Sequence, residues 1–294
     1  MKIVIKQRNE SGSISIKPFN SFIILSPIDD VVLFFTQVFA EMLGVHPSVV
    51  SSTISLPSIQ KFDLEIHSNE TLGRYILQQF RKTSFNTDKL WVEELIHELR
   101  TASLTIDLGA HVLADNEHLA PVLLRKLLRA SHRQKIATLI ASDFLQLNAI
   151  SPSIHPISLV KILTGGLSHS PFTSQVKFFL SSSIKTDVIG HVNPIIWGNF
   201  YFLSNFFTTL LSWFETELVT LEMKIINPVS VQVTMSIHED HFLSDIQGFS
   251  LIPHYLQYIV AYFNGCSWVT QNSIKILFPL VLFELTLDKI YSLL

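Results

Sequence analysis

The chain contains a single cysteine, Cys266, among 294 residues. One thiol excludes an internal disulfide framework and any zinc site built from several thiolates, and it fits a reducing compartment. Charge is also scarce. Asp, Glu, Lys and Arg together make up 15% of the chain, and the formal net charge is only -3. That balance gives no electrostatic footing for nucleic acid or for an anionic membrane surface, so partners must be argued from local sites. The pair Gly165-Gly166 in LTGGLSHS stands alone and does not make a phosphate-binding motif. No secretory signal is expected, because Met1-Lys2-Ile3-Val4-Ile5-Lys6-Gln7-Arg8 turns polar before an apolar segment builds.

What the chain has in quantity is apolar surface. The apolar fraction is 48%, enough to bury a substantial core, and the length allows two modest domains or one with appendages. One segment raises a membrane question: from Val188 to Phe214 there is no Asp, Glu, Lys or Arg. Asn193, Asn199, Asn205, Gly198, Ser204, Thr208, Thr209 and Ser212 dilute it, and no basic cluster flanks it. A helix buried against a sheet is therefore the expectation, and a cytoplasmic protein the default.

The first sixty residues alternate short β-like runs (Lys2 to Lys6, Ser13 to Ile16, Ser21 to Leu25) with an amphipathic helix expected from Asp30 to Leu43 and ended by Gly44. A further helix is expected from about Asn69 to Lys82. Beyond it, Leu95, Leu99, Ala102, Ile106, Gly109 and Leu113 recur at steps of four and three, the seam of a helical bundle. After a break at Ala114 to Pro121, a second series follows: Leu123, Leu127, Ala130, Gln134, Ala137, Ala141, Phe144 and Asn148. Two helices of similar length with a short connection predict an antiparallel hairpin. A lone hairpin cannot bury both seams, so dimerisation into a four-helix bundle is expected.

On the first of these helices sits the stretch Ile96-His97-Glu98-Leu99-Arg100-Thr101. His97 lies two residues from both Leu95 and Leu99, about 200° around the helix from each, so its ring faces away from the seam. Glu98 is adjacent, and Thr101, four residues on, shares its face. An exposed imidazole beside a carboxylate has the parts of a phosphoryl acceptor: a nitrogen nucleophile and a base for its other proton.

The string HELRT at His97 to Thr101, on the first helix of a hairpin, resembles the H-box of two-component sensor histidine kinases. The resemblance implies His97 as phosphoacceptor, Glu98 as its proton acceptor, and Thr101 as the residue that positions water during dephosphorylation. The family usually follows the threonine with proline and leucine; this chain has Ala102-Ser103. The resemblance also implies an α+β chain in three parts: residues 1–68 as a small α/β segment resembling a remnant of a GAF-like sensory module, 69–150 as the dimerisation and phosphotransfer hairpin, and 151–294 as an α/β sandwich of the GHKL ATPase type. Gly248 to Leu280 is similar to that domain's helix, turn and two closing strands, with Gly265 at the helix end and Phe278-Pro279-Leu280 at the end of the last strand. Ile157 to Leu163 and Gln175 to Leu180 are expected as its first strands, and Trp197 to Phe214 as the helix under its sheet.

The nucleotide residues depart from the family's pattern. Asn205 falls where the magnesium-binding asparagine would lie, but the preceding asparagine corresponds to Tyr201. After the strand expected at Ser230 to Ile237, His238-Glu239-Asp240-His241-Phe242 lacks the glycines of the adenine-binding loop. The distance from Asp240 to Gly248 leaves no room for a lid over the phosphates. The expectation is therefore a GHKL-like fold that has lost ATP and magnesium, with His97 exchanging phosphoryl groups with a response regulator. The alternatives are a binding-only pseudokinase and a divergent active kinase. His111, His118 and His132 are read as structural or surface histidines, His238, Asp240 and His241 as a solvated turn, and Phe206, Phe207, Trp213 and Phe214 as core; no metal and no nucleic-acid site is expected.

Overall fold

The computed structural model describes residues 18–19, 21–26, 31–48, 54–55, 66–72, 75–80, 88–115, 120–150, 152–166, 176–180, 194–214, 219–237, 251–270 and 273–281. These form an α+β chain. The runs expected at Lys2 to Lys6 and Ser13 to Ile16 lie outside the described residues, as do the loop at His238 to Asp240, His241, Gly248 and His118.

The N-terminal part is a five-stranded antiparallel sheet, built from β1 (Phe22–Leu25), β2 (Val31–Phe35), β3 (Ile54–Ser55), β4 (Ile66–Leu72) and β5 (Tyr75–Phe80) in the order β3-β2-β1-β5-β4. Two expected helices are corrected by this sheet. Val31 to Phe35, the first half of the helix expected from Asp30, is a strand; its valines and phenylalanines pair with β1 instead, as β-branched and aromatic residues favour. Helix α1 (Gln37–Leu43) begins only after Thr36, whose Oγ1 accepts from the Phe39 amide, and ends at Gly44 in the left-handed conformation, as the sequence predicts. The helix expected at Asn69 to Lys82 is instead the β4–β5 hairpin, with Leu72 opposite Tyr75 across a two-residue connection. Strand β5, which ends at Phe80, is thus part of the first sheet.

Helices α2 (Asp88–Asp115) and α3 (Ala120–Ile150) form the expected pair. Gln134 Nε2 donates to Ser103 Oγ, and Gly109 lies against Leu127, so residues further along one helix meet residues further back on the other: the pair is antiparallel. A Cβ on Gly109 would stand 2.6 Å from a Leu127 methyl, so a larger residue there would push against α3. Leu95, Ala102 and Gly109 on α2 are buried and Leu99, Ile106 and Leu113 partly so, following the seam. On α3 the seam holds at Ala130 and Ala137, but Ile136, Ile140, Asp143 and Leu147 are buried as well. The C-terminal half of α3 has a second inward face, turned to the rest of the protein.

That face meets the C-terminal part. Its main sheet contains β7 (Val176–Leu180), β9 (Val219–Asn227), β10 (Ser230–Ile237), β11 (Cys266–Val269) and β12 (Ser273–Pro279), in the order β11-β12-β10-β9-β7, with β7 parallel to β9 and the other pairs antiparallel. Strand β6 (His155–Ser158) pairs with β8 (Ile195–Gly198) in a separate two-stranded sheet, and the segment expected as strand to Leu163 turns helical at Leu159, where Ser158 Oγ accepts from the Lys161 amide. A helical turn over Ile162–Gly166 then carries the glycine pair expected in a loop. Helices α4 (Phe200–Trp213) and α5 (Leu251–Tyr262) supply Leu203, Phe206, Phe207, Leu210, Tyr255, Leu256 and Ile259 to the core. Each fully buried large side chain of this kind is worth about 1.5 to 3 kcal/mol in transfer free energy. The uncharged run therefore divides into strand β8, which includes Trp197, and a helix of 14 residues. No helix among the described residues is long and apolar enough to cross a membrane.

The three parts are joined by buried polar contacts. The Asp143 carboxylate accepts from Thr209 on α4 (3.2 Å) and from Tyr255 on α5 (2.5 Å). Burial raises the Asp143 pKa, and the two hydroxyls oppose that rise. Removing the carboxylate would strand the buried Tyr255 hydroxyl, at a cost of about 1–3 kcal/mol. At the other end, the Gln37 side-chain oxygen accepts from the Ser267 backbone N–H on edge strand β11, while the Gln37 backbone N–H donates to the Gly265 carbonyl. Asn227 Nδ2 donates to the Leu33 carbonyl.

Candidate functional site

His97 occupies the outer face of α2 and is exposed. The seam residues on either side explain this: Leu95 and Ala102 hold the inner face against α3 and the core, and a residue about 200° away has nothing to pack on. Thr101 is exposed on the same face, one turn along, where its backbone carbonyl accepts from Thr105 Oγ1.

Glu98 is different. Its side chain is only 8% exposed, and Oε2 has no hydrogen-bond partner among the described residues. Burial raises its pKa; the charges of Arg133 on α3 and of His97 pull it back down, and Glu94 pushes it up again. A half-desolvated carboxylate with an unclaimed lone pair beside an imidazole is a stronger proton acceptor than a surface glutamate.

Two elements outside the string also reach the site. Glu94, one turn before His97, meets His254 of α5, with Nε2 to Oε2 at 3.1 Å. Ile96, Leu99, Arg100, Ser103, Leu104 and Asp107 line an open groove of about 510 Å³ along α2. Sequence reasoning missed His254 and Arg133, because nothing in the local pattern of α3 or α5 signals an approach to residues 94–98.

Asn205 stands on the exposed side of α4, four residues after Tyr201, which is also exposed. Asn205 does not line the groove along α2 to which Ile96, Leu99 and Arg100 contribute. His111 is exposed and faces Asp107 at 3.8 Å on its own helix. His132 is half-buried with its ring against Trp213 and Nε2 3.3 Å from the Trp213 carbonyl. No group of three metal-ligating side chains occurs among the described residues. Phe206, Phe207 and Phe214 are buried and Trp213 packs partly against the core, as the sequence predicts.

No protein-family model matches the chain, and no curated protein does. Among solved structures it is similar to a bacterial phosphotransferase, at 10% identity over 67% of this chain and 98% of that one, with a TM-score of 0.31. It is also similar to the mycobacterial sensor histidine kinase MprB, at 11% identity over 44% of this chain and 99% of that one (TM-score 0.30). A third is full-length ShkA in complex with AMPPNP, at 16% identity and a TM-score of 0.31; the match takes in 65% of this chain and spans 46% of that protein.

The Glu98 environment yields a pH prediction. A carboxyl whose pKa is raised on folding binds its proton more tightly in the native state, so its contribution to stability falls as pH rises above about 4.3, its unfolded value. Urea unfolding of the wild type and of Glu98→Gln should therefore diverge with pH, the wild type losing stability relative to the variant between pH 4 and pH 7. A constant difference across that range would contradict a desolvated Glu98.

Proposed function

We propose that this protein is a two-component signalling protein in which His97 exchanges a phosphoryl group with the aspartate of a response regulator. The observation that carries the reading is the pairing of an exposed His97 ring with the buried, unclaimed Glu98 carboxylate on one helix. In the forward step a neutral ring nitrogen of His97 attacks phosphorus, an N–P bond forms, and the P–O bond to the regulator's aspartate breaks, releasing the carboxylate. Glu98 takes or holds the proton on the other ring nitrogen, so that no lasting imidazolium charge is required. In this reading Thr101, exposed one turn along the same face, orients a water when the regulator is dephosphorylated.

In this reading the hairpin of α2 and α3 is the phosphotransfer unit and the C-terminal α/β part a GHKL-like domain that no longer uses ATP or magnesium; Asn205 is a vestige. The phosphoryl group comes from the regulator, not from a nucleotide. The groove along α2 offers the regulator an apolar surface with Arg100 and Asp107 at its margin.

We infer a homodimer as well. Leu104 and Leu108 on α2 and Leu124 and Leu128 on α3 are all exposed, Leu108 at 62% and Leu128 at 61%. The antiparallel pairing of Ser103 with Gln134 and of Gly109 with Leu127 puts Leu108 and Leu128 at matching heights. A second copy would bury them as a four-helix bundle. Light scattering should give a dimer for the wild type and a monomer for the double variant Leu108→Glu, Leu128→Glu; a wild-type monomer at micromolar concentration would remove the bundle.

The function is tested by incubating the protein with a panel of phosphorylated response regulators carrying labelled phosphate. Label is expected on the wild type, stable to alkali and labile to acid, and absent from His97→Ala. No transfer from any regulator would favour a binding-only protein in which His97 has no chemistry. Labelling from ATP and magnesium alone would overturn the loss of nucleotide use.

A further inference from the structure

The contact between Glu94 and His254 bears directly on the phosphorylated state of His97, and this inference rests on the reading of His97 as phosphoacceptor. Residues three apart on a helix are surface neighbours, about 5–6 Å between Cβ atoms. Helical side chains also lean toward the N-terminus, so the patch covered by His97 lies over the turn that carries Glu94. His254 already stands on that turn, with Nε2 3.1 Å from the Glu94 carboxylate. It is brought there by α5, which is fixed through Tyr255 to Asp143 and through Phe144 to Tyr258.

Phosphorylating His97 places roughly two negative charges beside Glu94. Glu94 already stands about one turn from His97 on the helix, and the phosphoryl group repels it. His254 is a donor that α5 holds against the Glu94 turn. We propose that His254 is a positioning residue for the phosphorylated protein: it turns from Glu94 to donate to a phosphoryl oxygen on His97, so that phosphorylation tightens the hold of α5 on the phosphoacceptor helix. No bond is made or broken in this step beyond the exchange of one hydrogen-bond acceptor for another, and a protonated His254 adds a counter-charge.

Among the described residues, titratable groups from other parts of the chain share the surroundings of His254. Glu94 approaches from α2. Glu41 and His46 share the cleft of about 530 Å³ that His254 lines together with Gln37, Gln257 and Tyr258. The Glu41 carboxylate accepts from the Gln37 amide at 3.0 Å and has no proton to give a phosphoryl group, and the His46 ring is engaged by Ser48 at 2.8 Å.

The test is a 31P NMR titration of the protein phosphorylated at His97 with phosphoramidate. A cation held against a phosphoryl group keeps it ionised to lower pH. The phosphoryl group of the wild type should titrate about one pH unit below that of His254→Ala. His254→Gln, which keeps a donor without a charge, should fall between them, and Glu94→Gln, which removes the competing carboxylate, should titrate at or below the wild type. Identical titrations in wild type, His254→Ala and His254→Gln would overturn the role of His254 while leaving His97 a phosphoacceptor. A wild type that takes no phosphoryl group at His97 would overturn both.

Discussion

The hydrogen bonds from Tyr255 and Thr209 to the buried carboxylate of Asp143 fix the geometry on which the remainder depends. Asp143 belongs to the helical hairpin, while its two donors belong to the two helices that underlie the C-terminal sheet. The two hydroxyls claim lone pairs of a carboxylate taken out of water, so the three side chains specify one docking of hairpin on sheet. Around them Ile136, Ile140 and Leu147 supply the apolar area, and the polar triad supplies the register.

With that docking set, helix α2 is left with three different surroundings around its circumference. One face meets α3 through Ala102 and Gly109. The N-terminal turns meet α5 at Glu94. The outer face carries His97 and Thr101 into solvent. The unequal treatment of neighbours in sequence is what makes the site: Glu98 is desolvated and His97 is not, although they are consecutive, because a helix turns about 100° per residue. The same rotation leaves the leucines in the distal half of the hairpin uncovered, where the sheet domain does not reach.

The parts legible in the sequence are those with local causes. The seam at Leu95, Ala102 and Gly109, the display of His97 and the cap at Gly44 follow from periodicity or from one residue's backbone preference, whereas the helix, turn and two strands expected over Gly248 to Leu280 come from the family resemblance. The errors have a common origin. Val31 to Phe35 and the β4–β5 hairpin were expected as helix because short apolar runs suit either structure; only pairing with β1 decides, and that pairing is non-local. Asp143 carries no signal of its own, since its partners lie 66 and 112 residues away. Glu94 and His254 are likewise ordinary helix-surface residues until the fold brings them together.

The central claim is that His97 is set apart from the chain's other exposed histidines by its surroundings. Phosphoramidate donates a phosphoryl group without any protein partner, so the rate at which each histidine is modified, read by peptide mapping at alkaline pH, tests that claim directly. The account predicts that His97 is modified well ahead of His46, His111 and His155 and that its lead disappears in Glu98→Gln. Modification spread evenly over these histidines, or a lead for His97 that Glu98→Gln leaves intact, would contradict it.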